Sequence, residues 1–357
     1  MNILFINSAS RGFGGNERSI TMVANMLSIS NNTVFAYRKD EIGAHARMPR
    51  YRLPFIFEGD LYTIARLVRI VKKHRIDIII PSKRKDYAIA GIVSRICGIR
   101  NILWLGIIRP LENTSINRII YDKLADGIIV NAQEIKKQLL KTGWIPEKKI
   151  KVLYRGIDSA ALDKVIEQSV RPAGPTMKIT AMGRLTAIKS YDLLLKALGI
   201  LFTTTPEADI QVTILGEGNE RSRLEHQAKQ LGIEKHLSMP GFSSNPYPTL
   251  ATSDVFVMTS TIEGLSTALV EAMYLKNAPV STYGGGGVCE IITDGRNGFL
   301  FNHGDEETLA SVLRKLYLEP GLRHQIAEAA QESVKEKYSA EKVKEEMTAF
   351  CQQVMNR

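Results

Sequence analysis

Cysteine is scarce in this chain of 357 residues, and long apolar runs are absent. Cys97, Cys289 and Cys351 are odd in number, far apart and outside any C-x-x-C motif. This usage excludes a disulfide framework and a cysteine-based zinc site, and it indicates a reducing compartment. No window of about 18 uninterrupted apolar residues exists, which excludes a conventional transmembrane helix. Because the start, MNILFINSAS, lacks the basic region of a signal peptide, we predict a cytoplasmic protein whose first strand is buried.

Short apolar runs alternate with amphipathic stretches along the whole chain, whose composition, 44% hydrophobic and 24% charged, is that of a globular protein. The runs are rich in β-branched residues and almost continuously apolar, as in strands buried on both faces of a sheet. This alternation predicts parallel sheets with helices on both faces. The predicted strands are Ile3–Ile6, Thr33–Tyr37, Ile76–Ile80, Ile102–Leu105, Gly127–Asn131, Lys178–Met182, Gln211–Leu215, Asp254–Met258, Ala278–Ser281 and Gly298–Phe301.

The length is typical of two domains, and a change of composition marks their boundary. The stretch R-P-A-G-P-T, residues 171–176, has the proline and glycine content of a linker. We predict a Rossmann-like domain at residues 1–170, a second at residues 171–337, and a charged helix at residues 338–357 that packs back across the linker. Two such doubly wound domains facing one another leave a cleft at the carboxyl ends of their strands, where ligands bind in open α/β sheets.

Positive charge is concentrated in the first half of the chain. Residues 1–170 carry 28 Lys and Arg against 15 Asp and Glu, a balance of +13, whereas residues 171–357 have a balance of −3. A basic half favours an anionic partner, such as nucleic acid, an anionic membrane face or a phosphorylated acceptor, although a solvated basic surface has the same composition. Segment Arg66–Arg75 holds five of these cations. No stacking-aromatic or recognition-helix motif supports nucleic-acid binding.

Two strand-to-helix turns carry glycines and cations suited to an anion. The first is residues 11–17, R-G-F-G-G-N-E, in which Glu17 stands where the dinucleotide fingerprint G-x-G-x-x-G has its third glycine. This departure disfavours hydride transfer, and the turn could be only a tight connection. In the second turn, Arg184 and Lys189 lie five residues apart after a predicted strand. The two cations suit a diphosphate, or they are ordinary solvated side chains.

A third turn, residues 259–267, leads from a predicted strand into an apolar helix. Ser266 or Thr267 can cap this helix, whose N-terminus favours an anion. Glu271 lies one helical turn beyond Thr267 and therefore on the same face. A carboxylate on an otherwise apolar helix is costly unless a partner satisfies it, which makes Glu271 a candidate ligand contact. Residues 283–287, Y-G-G-G-G, follow the next strand and form either a further backbone cradle or a flexible loop.

These residues resemble family-4 retaining glycosyltransferases, which have the GT-B fold. The resemblance rests on G-R-L-x-x-x-K at residues 183–189, the E-x7-E pair Glu263 and Glu271, the ending E-I-I-x-D-G-x-N-G-x-L at residues 290–300, and G-G-N-E at residues 14–17. It implies retaining transfer of a sugar from a nucleotide diphosphate sugar, with UDP favoured, to a glycan or lipid-linked acceptor. The process would be cell-surface polysaccharide or lipopolysaccharide synthesis, with no bound metal and no permanent cofactor.

The resemblance also assigns roles to individual positions. Arg184 and Lys189 would hold the donor diphosphate and, with Glu263 against the donor sugar, form the catalytic set. Glu271 would bind the ribose hydroxyls. The remaining donor contacts would come from glycines of the first domain, from the backbone at the start of the helix that follows the third turn, and from an aromatic residue near the base. These residues are Gly14, Gly15, Leu265, Ser266, Thr267 and Phe242.

The chain departs from the family pattern at two places. Ser190 replaces a glycine after the lysine, and none of the six histidines lies in residues 81–87 or 105–109, where many members carry one. The acceptor-side group is therefore open, with Asp86, Arg84 and Arg109 as candidates. A sugar-nucleotide epimerase on the same fold and an inactive sugar-nucleotide sensor remain alternatives. The basic first half would place the enzyme at the inner membrane face as a peripheral protein.

Overall fold

The computed structural model describes residues 1–10, 15–106, 111–154, 156–170, 174–262, 265–284 and 287–357. Within these ranges, the strands are β1 (Asn2–Asn7), β2 (Asn32–Tyr37), β3 (Arg50–Arg52), β4 (Ile78–Pro81), β5 (Arg100–Leu105), β6 (Gly127–Val130), β7 (Ile150–Val152), β8 (Met177–Met182), β9 (Ile210–Leu215), β10 (Leu237–Gly241), β11 (Val255–Met258), β12 (Ala278–Thr282) and β13 (Phe299–Phe301).

Helices connect these strands in a regular alternation. The α-helices are α1 (Gly15–Ser28), α2 (Asp40–Gly43), α3 (Leu61–His74), α4 (Arg84–Cys97), α5 (Ser115–Arg118), α6 (Gln133–Leu140), α7 (Ser159–Gln168), α8 (Tyr191–Thr204), α9 (Arg221–Gln230), α10 (Tyr247–Ala251), α11 (Thr267–Tyr274), α12 (Val288–Ile291), α13 (Glu306–Leu318), α14 (Pro320–Tyr338) and α15 (Ala340–Met355). A π-helical turn, Ile119–Lys123, follows α5, and short 3₁₀ turns lie at Glu147–Lys149, Ala187–Lys189 and Glu234–His236.

The chain divides into two compact units, one of which is built from two separate segments. The first unit comprises Met1–Gly156 and Ala340–Arg357, and the second comprises Ile157–Ser339. Helix α7 belongs to the second unit, where Tyr274 of α11 donates a hydrogen bond to Asp163 of α7 at 2.8 Å. The units therefore divide ahead of the linker predicted at residues 171–176, of which residues 171–173 lie outside the described ranges.

Each unit contains one wholly parallel sheet. The first sheet has the strand order β3-β2-β1-β4-β5-β6-β7, and the second has the order β10-β9-β8-β11-β12-β13. In the first sheet Ile3 of β1 pairs with Thr33 of β2 on one side and Ile78 of β4 on the other. Both sheets are buried between helices, which confirms the prediction of two doubly wound α/β domains.

Helix α15 belongs to the first unit and packs on α1. Val343, Met347, Phe350, Cys351 and Val354 are all buried, at intervals of three and four residues that define one helix face. They join the core formed by β1, β2 and β5. The C-terminal helix thus completes the hydrophobic core of the N-terminal sheet.

None of the described helices is long and apolar enough to cross a membrane.

Candidate functional site

The loops after β8, β9, β10 and β11 meet at the carboxyl edge of the second sheet, because all its strands run in the same direction. Hydrogen bonds connect them pairwise. The Leu185 N–H in the loop after β8 donates to the carbonyl of Glu217 after β9 at 2.9 Å, and the Gly216 N–H donates to the carbonyl of Gly241 at 2.8 Å. Thr261, after β11, donates its N–H to the Ile188 carbonyl at 2.9 Å. The loops are therefore fixed to one another by their backbones.

Glycine is required where the loops after β8 and β9 approach each other. An ideal Cβ on Gly216 would overlap the carbonyl oxygen of Gly183, and one on Gly218 would overlap that of Leu185. Gly216 also has a φ of 149°, which side chains rarely adopt. The sequence analysis missed these two glycines. The signal that could have found them is G-E-G immediately after a predicted strand.

The predicted cation loop lies on this edge. Arg184 is exposed, and Lys189 is half-buried. The Lys189 side chain passes beside Gly183, since an ideal Cβ there would lie 3.3 Å from Lys189 Cε. The Lys189 carbonyl accepts a hydrogen bond from Thr259 Oγ1 at 2.8 Å, which ties the cation loop to the loop after β11.

Ser190 explains why a glycine is usual at this position of the family pattern. Its backbone is left-handed, with φ 47° and ψ 45°, at the start of α8. Glycine adopts this conformation without steric cost, whereas a residue with a Cβ is strained. Here Ser190 Oγ donates to the Ala187 carbonyl at 3.0 Å, and His303 Nε2 lies 3.0 Å from the same oxygen.

The third predicted turn begins helix α11. Ser266 is its N-cap, with a buried side chain that accepts a hydrogen bond from the Leu269 N–H at 3.4 Å. Leu265 and Thr267 are half-buried beside it. Glu263 lies outside the described residues. The positive end of the α11 dipole therefore lies at the carboxyl edge of the sheet, where an anion is favoured.

Glu271 is half-buried on α11, and its carboxylate has a partner within the protein. Tyr247 Oη, at the start of α10, donates to Glu271 Oε1 at 3.1 Å. This contact fixes the carboxylate relative to the loop after β10. The same loop carries Phe242, whose ring is 77% exposed. The sequence analysis missed Tyr247, although it lies only five residues beyond Phe242.

A polar cluster occupies the carboxyl edge of the first sheet. Asn7 Nδ2 donates to Ser82 Oγ at 2.9 Å, and Ser82 Oγ donates to the Ile6 carbonyl at 2.9 Å. The Ser8 N–H donates to Asp86 Oδ2 at 3.0 Å. Asn16 Nδ2, in the first turn of α1, donates to the Ser82 carbonyl at 3.1 Å. The loops after β1 and β4 are thereby held together.

Asp86 has no exposed surface, and its carboxylate holds the loop after β1. Burial raises its pKa to about 6, while hydrogen bonds from Ser8 and the positive charge of Lys83 act in the opposite direction. Among the residues that the structure describes, no group donates to Asp86 Oδ1. Arg84 is exposed and donates to Asn117 Oδ1 at 3.3 Å, and Arg109 lies outside the described residues.

The glycine turn of the first unit is described only at its end. Gly14 lies outside the described residues, and Gly15 is the first residue of α1. Glu17 is buried and forms an ion pair with Lys83, which follows β4. The glutamate of G-G-N-E thus connects α1 to the loop after β4. Within the described ranges, no group of three or more His, Cys, Asp and Glu side chains is arranged to hold a metal ion.

Two Rossmann-like units with polar loops at the carboxyl edges of their sheets place this chain in the doubly wound α/β class. Residues 163–333 match the family model of glycosyl transferases group 1, and residues 13–161 match that of glycosyltransferase family 4. The chain belongs to the family-4 glycosyltransferases, as the sequence motifs predicted.

Curated relatives and a solved structure agree with this placement. The chain is 27% identical over 232 residues to lipopolysaccharide core biosynthesis glycosyltransferase LpsE of Rhizobium meliloti, covering 63% of this chain and 64% of that protein. It is 29% identical over 214 residues to the N-acetylgalactosamine-N,N'-diacetylbacillosaminyl-diphospho-undecaprenol 4-alpha-N-acetylgalactosaminyltransferase of Campylobacter jejuni, covering 60% of this chain and 56% of that protein. The chain thus spans less than two thirds of either relative.

The crystal structure of Anabaena HepE in complex with UDP is similar to the present fold along its whole length. The TM-score is 0.80 at 21% identity, and the match covers 99% of this chain and 100% of that one. The fold is therefore GT-B, as predicted.

Proposed function

We propose that this chain is a retaining glycosyltransferase that moves a sugar from a UDP-sugar to a lipid-linked or glycan acceptor in cell-surface polysaccharide or lipopolysaccharide synthesis. The observation that carries the proposal is the convergence at the carboxyl edge of the second sheet. Hydrogen bonds connect the loops at this edge. These loops carry two cations, a helix N-terminus, a carboxylate oriented by a tyrosine hydroxyl, and an exposed aromatic ring.

Each of these groups matches one part of a nucleotide diphosphate sugar. Arg184 and Lys189 supply positive charge for the diphosphate, and the N-terminus of α11 adds backbone dipoles. Glu271, oriented by Tyr247, accepts hydrogen bonds from the two ribose hydroxyls. The ring of Phe242, exposed at the end of β10, stacks on the base. Solved HepE holds UDP, which favours uridine as the base.

The proposed reaction breaks the bond between the sugar C1 and the diphosphate oxygen through an oxocarbenium-like transition state. Negative charge then grows on the departing diphosphate, and Arg184, Lys189 and the α11 dipole stabilise it. The acceptor oxygen bonds to C1 on the face that the phosphate leaves, which retains the anomeric configuration, and its proton moves to a phosphate oxygen. Glu263, predicted to lie against the donor sugar, orients its hydroxyls.

The acceptor proposal draws on the names of the relatives. One acts in lipopolysaccharide core biosynthesis, and another acts on a sugar carried by diphospho-undecaprenol. Both names imply acceptors held at a membrane. In this chain we assign the acceptor to the first unit, at the edge where Asn7, Ser82 and Asp86 hold the loop after β1. The excess of positive charge in residues 1–170 suits an acceptor that carries phosphate.

Calorimetric titration with UDP, GDP, ADP and their sugars tests the donor site. We expect one nucleotide to bind, and we expect Arg184→Ala and Glu271→Gln each to weaken it at least tenfold, about 1.4 kcal/mol. Lys235→Ala and Glu234→Gln are matched controls, because both side chains are exposed on the turn before β10, at the opposite edge of the sheet. Binding that is equally affected by the controls, or insensitive to both site variants, would refute the assignment.

Product stereochemistry tests the retaining reaction. With a lipid-linked acceptor and the donor that binds, the proton coupling of the new anomeric centre in NMR should show the configuration of the donor. An inverted product contradicts retention. Conversion of the donor to an epimer without any acceptor would instead establish the epimerase alternative, and donor binding without turnover of any acceptor would favour the sensor.

A further inference from the structure

Four large apolar side chains protrude into solvent within seven residues of the first unit. Ile56, Phe57, Leu61 and Tyr62 are 63%, 58%, 78% and 61% exposed. They lie in the turn between β3 and α3 and in the first turn of α3, and we refer to them as the apolar tip. Single exposed apolar residues are ordinary on protein surfaces, but a contiguous group of this size marks an interaction site.

Buried polar contacts hold the tip in its protruding conformation. The buried Asp60 carboxylate accepts hydrogen bonds from the N–H groups of Ile56 and Thr63, both at 3.1 Å, and from Thr63 Oγ1 at 2.6 Å. Phe55 is fully buried although its φ of 45° is in the left-handed region. Lys85 Nζ, from α4, donates to the Ile56 carbonyl at 3.0 Å. The turn is thus fixed, with Asp60 inside it and the four apolar side chains outside, beside the exposed Glu58.

A row of cations continues from the tip along the same helix. Arg66, Arg69, Lys72 and Lys73 are exposed on α3, and we refer to them as the basic stripe. Tyr62 and Arg66 are four residues apart, as are Arg69 and Lys73, so tip and stripe share one helix face. The sequence of α3, LYTIARLVRIVKKH, contains no acidic residue. An apolar end beside a helix face whose charged residues are all positive is complementary to a surface of lipid tails and anionic headgroups.

We infer that the apolar tip and the basic stripe dock the first unit on an anionic lipid bilayer. This inference rests on the proposed function, because an acceptor carried by a lipid must be met at its membrane. Lys85 and Asp86 are neighbours on α4. The first holds the tip, and the second holds the loop after β1 at the edge assigned to the acceptor. Docking through the tip therefore brings that edge close to the headgroups.

Vesicle sedimentation tests the surface with two site variants and two control variants of the whole chain. Phe57→Ser with Leu61→Ser removes half of the tip, and Arg66→Gln with Arg69→Gln removes half of the stripe. Ile29→Ser is the apolar control, since Ile29 directly follows α1 and is 82% exposed. Vesicles of phosphatidylcholine alone are compared with vesicles that also contain phosphatidylglycerol. Tryptophan fluorescence confirms that each variant is folded.

We expect the wild type to bind the anionic vesicles at least tenfold more tightly than the neutral ones. The stripe variant should lose at least tenfold in affinity for anionic vesicles, because each cation near such a surface contributes about fivefold. The tip variant should lose a similar factor, and Ile29→Ser should bind as wild type. A matched charge control, Lys141→Gln with Lys148→Gln, exposed elsewhere on this unit, should lose less than the stripe variant.

Three outcomes would overturn the inference. The wild type could fail to bind anionic vesicles, or the tip variant could bind them as well as the Ile29→Ser control does. Sedimentation equilibrium could instead show that the wild type is a dimer and that the tip variant is not. That result would make the tip an interface between copies of this chain. UDP titration of the same samples separates this test from the donor assignment. If the chain binds UDP but does not bind vesicles, only the docking surface is refuted. If it binds vesicles but no nucleotide, only the donor site is refuted.

Discussion

Replacing Asp86 with asparagine should make the free energy of unfolding of the first unit less dependent on pH. Asp86 is fully buried, and burial raises its pKa from the ordinary value of 3.8 to about 6. The folded state therefore holds a proton at pH values where the unfolded chain has lost it. Stability from this group is present below pH 3.8 and is lost as the pH rises through 6. The difference of about two units between the folded and unfolded pKa values corresponds to about 3 kcal/mol of unfolding free energy in total.

Urea unfolding followed by tryptophan fluorescence measures this effect in the correct part of the chain, because Trp104 and Trp144 are the only tryptophans and both belong to the first unit. The side chain of Asp86→Asn is uncharged at every pH, and its amide oxygen can still accept from the Ser8 N–H. The free energy of unfolding of the variant, minus that of the wild type, should therefore rise by about 2 kcal/mol between pH 4 and pH 7.

Asp60→Asn is the matched control with the opposite sign. Burial acts to raise the pKa of Asp60, but hydrogen bonds from Thr63, Ile56 and Tyr62 outweigh it and lower the pKa. Stability from Asp60 is present above its unfolded pKa and is lost as the pH falls through the folded one, so the variant should fall further below wild type as the pH rises. If the Asp86→Asn difference stays constant from pH 4 to pH 7, Asp86 ionises normally and the argument from burial is wrong.

Three further substitutions test other parts of the structure. Gly216→Ala forces a Cβ onto the Gly183 carbonyl, so it should lower the free energy of unfolding by about 1–3 kcal/mol and weaken UDP binding at least tenfold. The control Gly321→Ala should do neither, because open space surrounds that position. Ser190→Gly should keep stability within about 1 kcal/mol of wild type, while Ser190→Val should lose about 2 kcal/mol in thermal or urea unfolding, and equal losses would contradict the strain at φ 47°. Phe350→Ala should cost about 3–5 kcal/mol in the fluorescence-detected unfolding of the first unit, and a cost below 1 kcal/mol would mean that α15 contributes little to that core.

Central strands could be predicted from the sequence, and three of the four edge strands could not. The missed strands are β3, β7 and β10, with the sequences RYR, IKV and LSMPG. Each lies at the end of a sheet. One flank of an edge strand faces water, so charged residues and proline are tolerated and the continuous apolar run that identifies a buried strand is lost. The edge strand β13, with the sequence FLF, is the exception and was predicted.

The candidate site was predictable where a local motif carries it. Arg184, Lys189 and Ser266 stand in recognisable turns, and Glu271 lies on the helix that follows the last of these turns. The partner of Glu271 was not predictable, because Tyr247 lies 24 residues away and reaches it only through strand order. The close approach of Gly216 to Gly183 is likewise a contact between separate loops, which a single sequence does not reveal. The roles of these residues stay predictions.

The two-segment construction of the first unit has a consequence for how the protein is made. During synthesis, residues 1–156 leave the ribosome with the face that α15 covers still open, and the whole second unit must be translated before Met347 and Phe350 arrive to close it. The nascent N-terminal sheet therefore exposes apolar surface for the time that about 180 residues take to be added, roughly 10–40 s at synthesis rates of about 5–20 residues per second. During that interval the open apolar face is prone to aggregation.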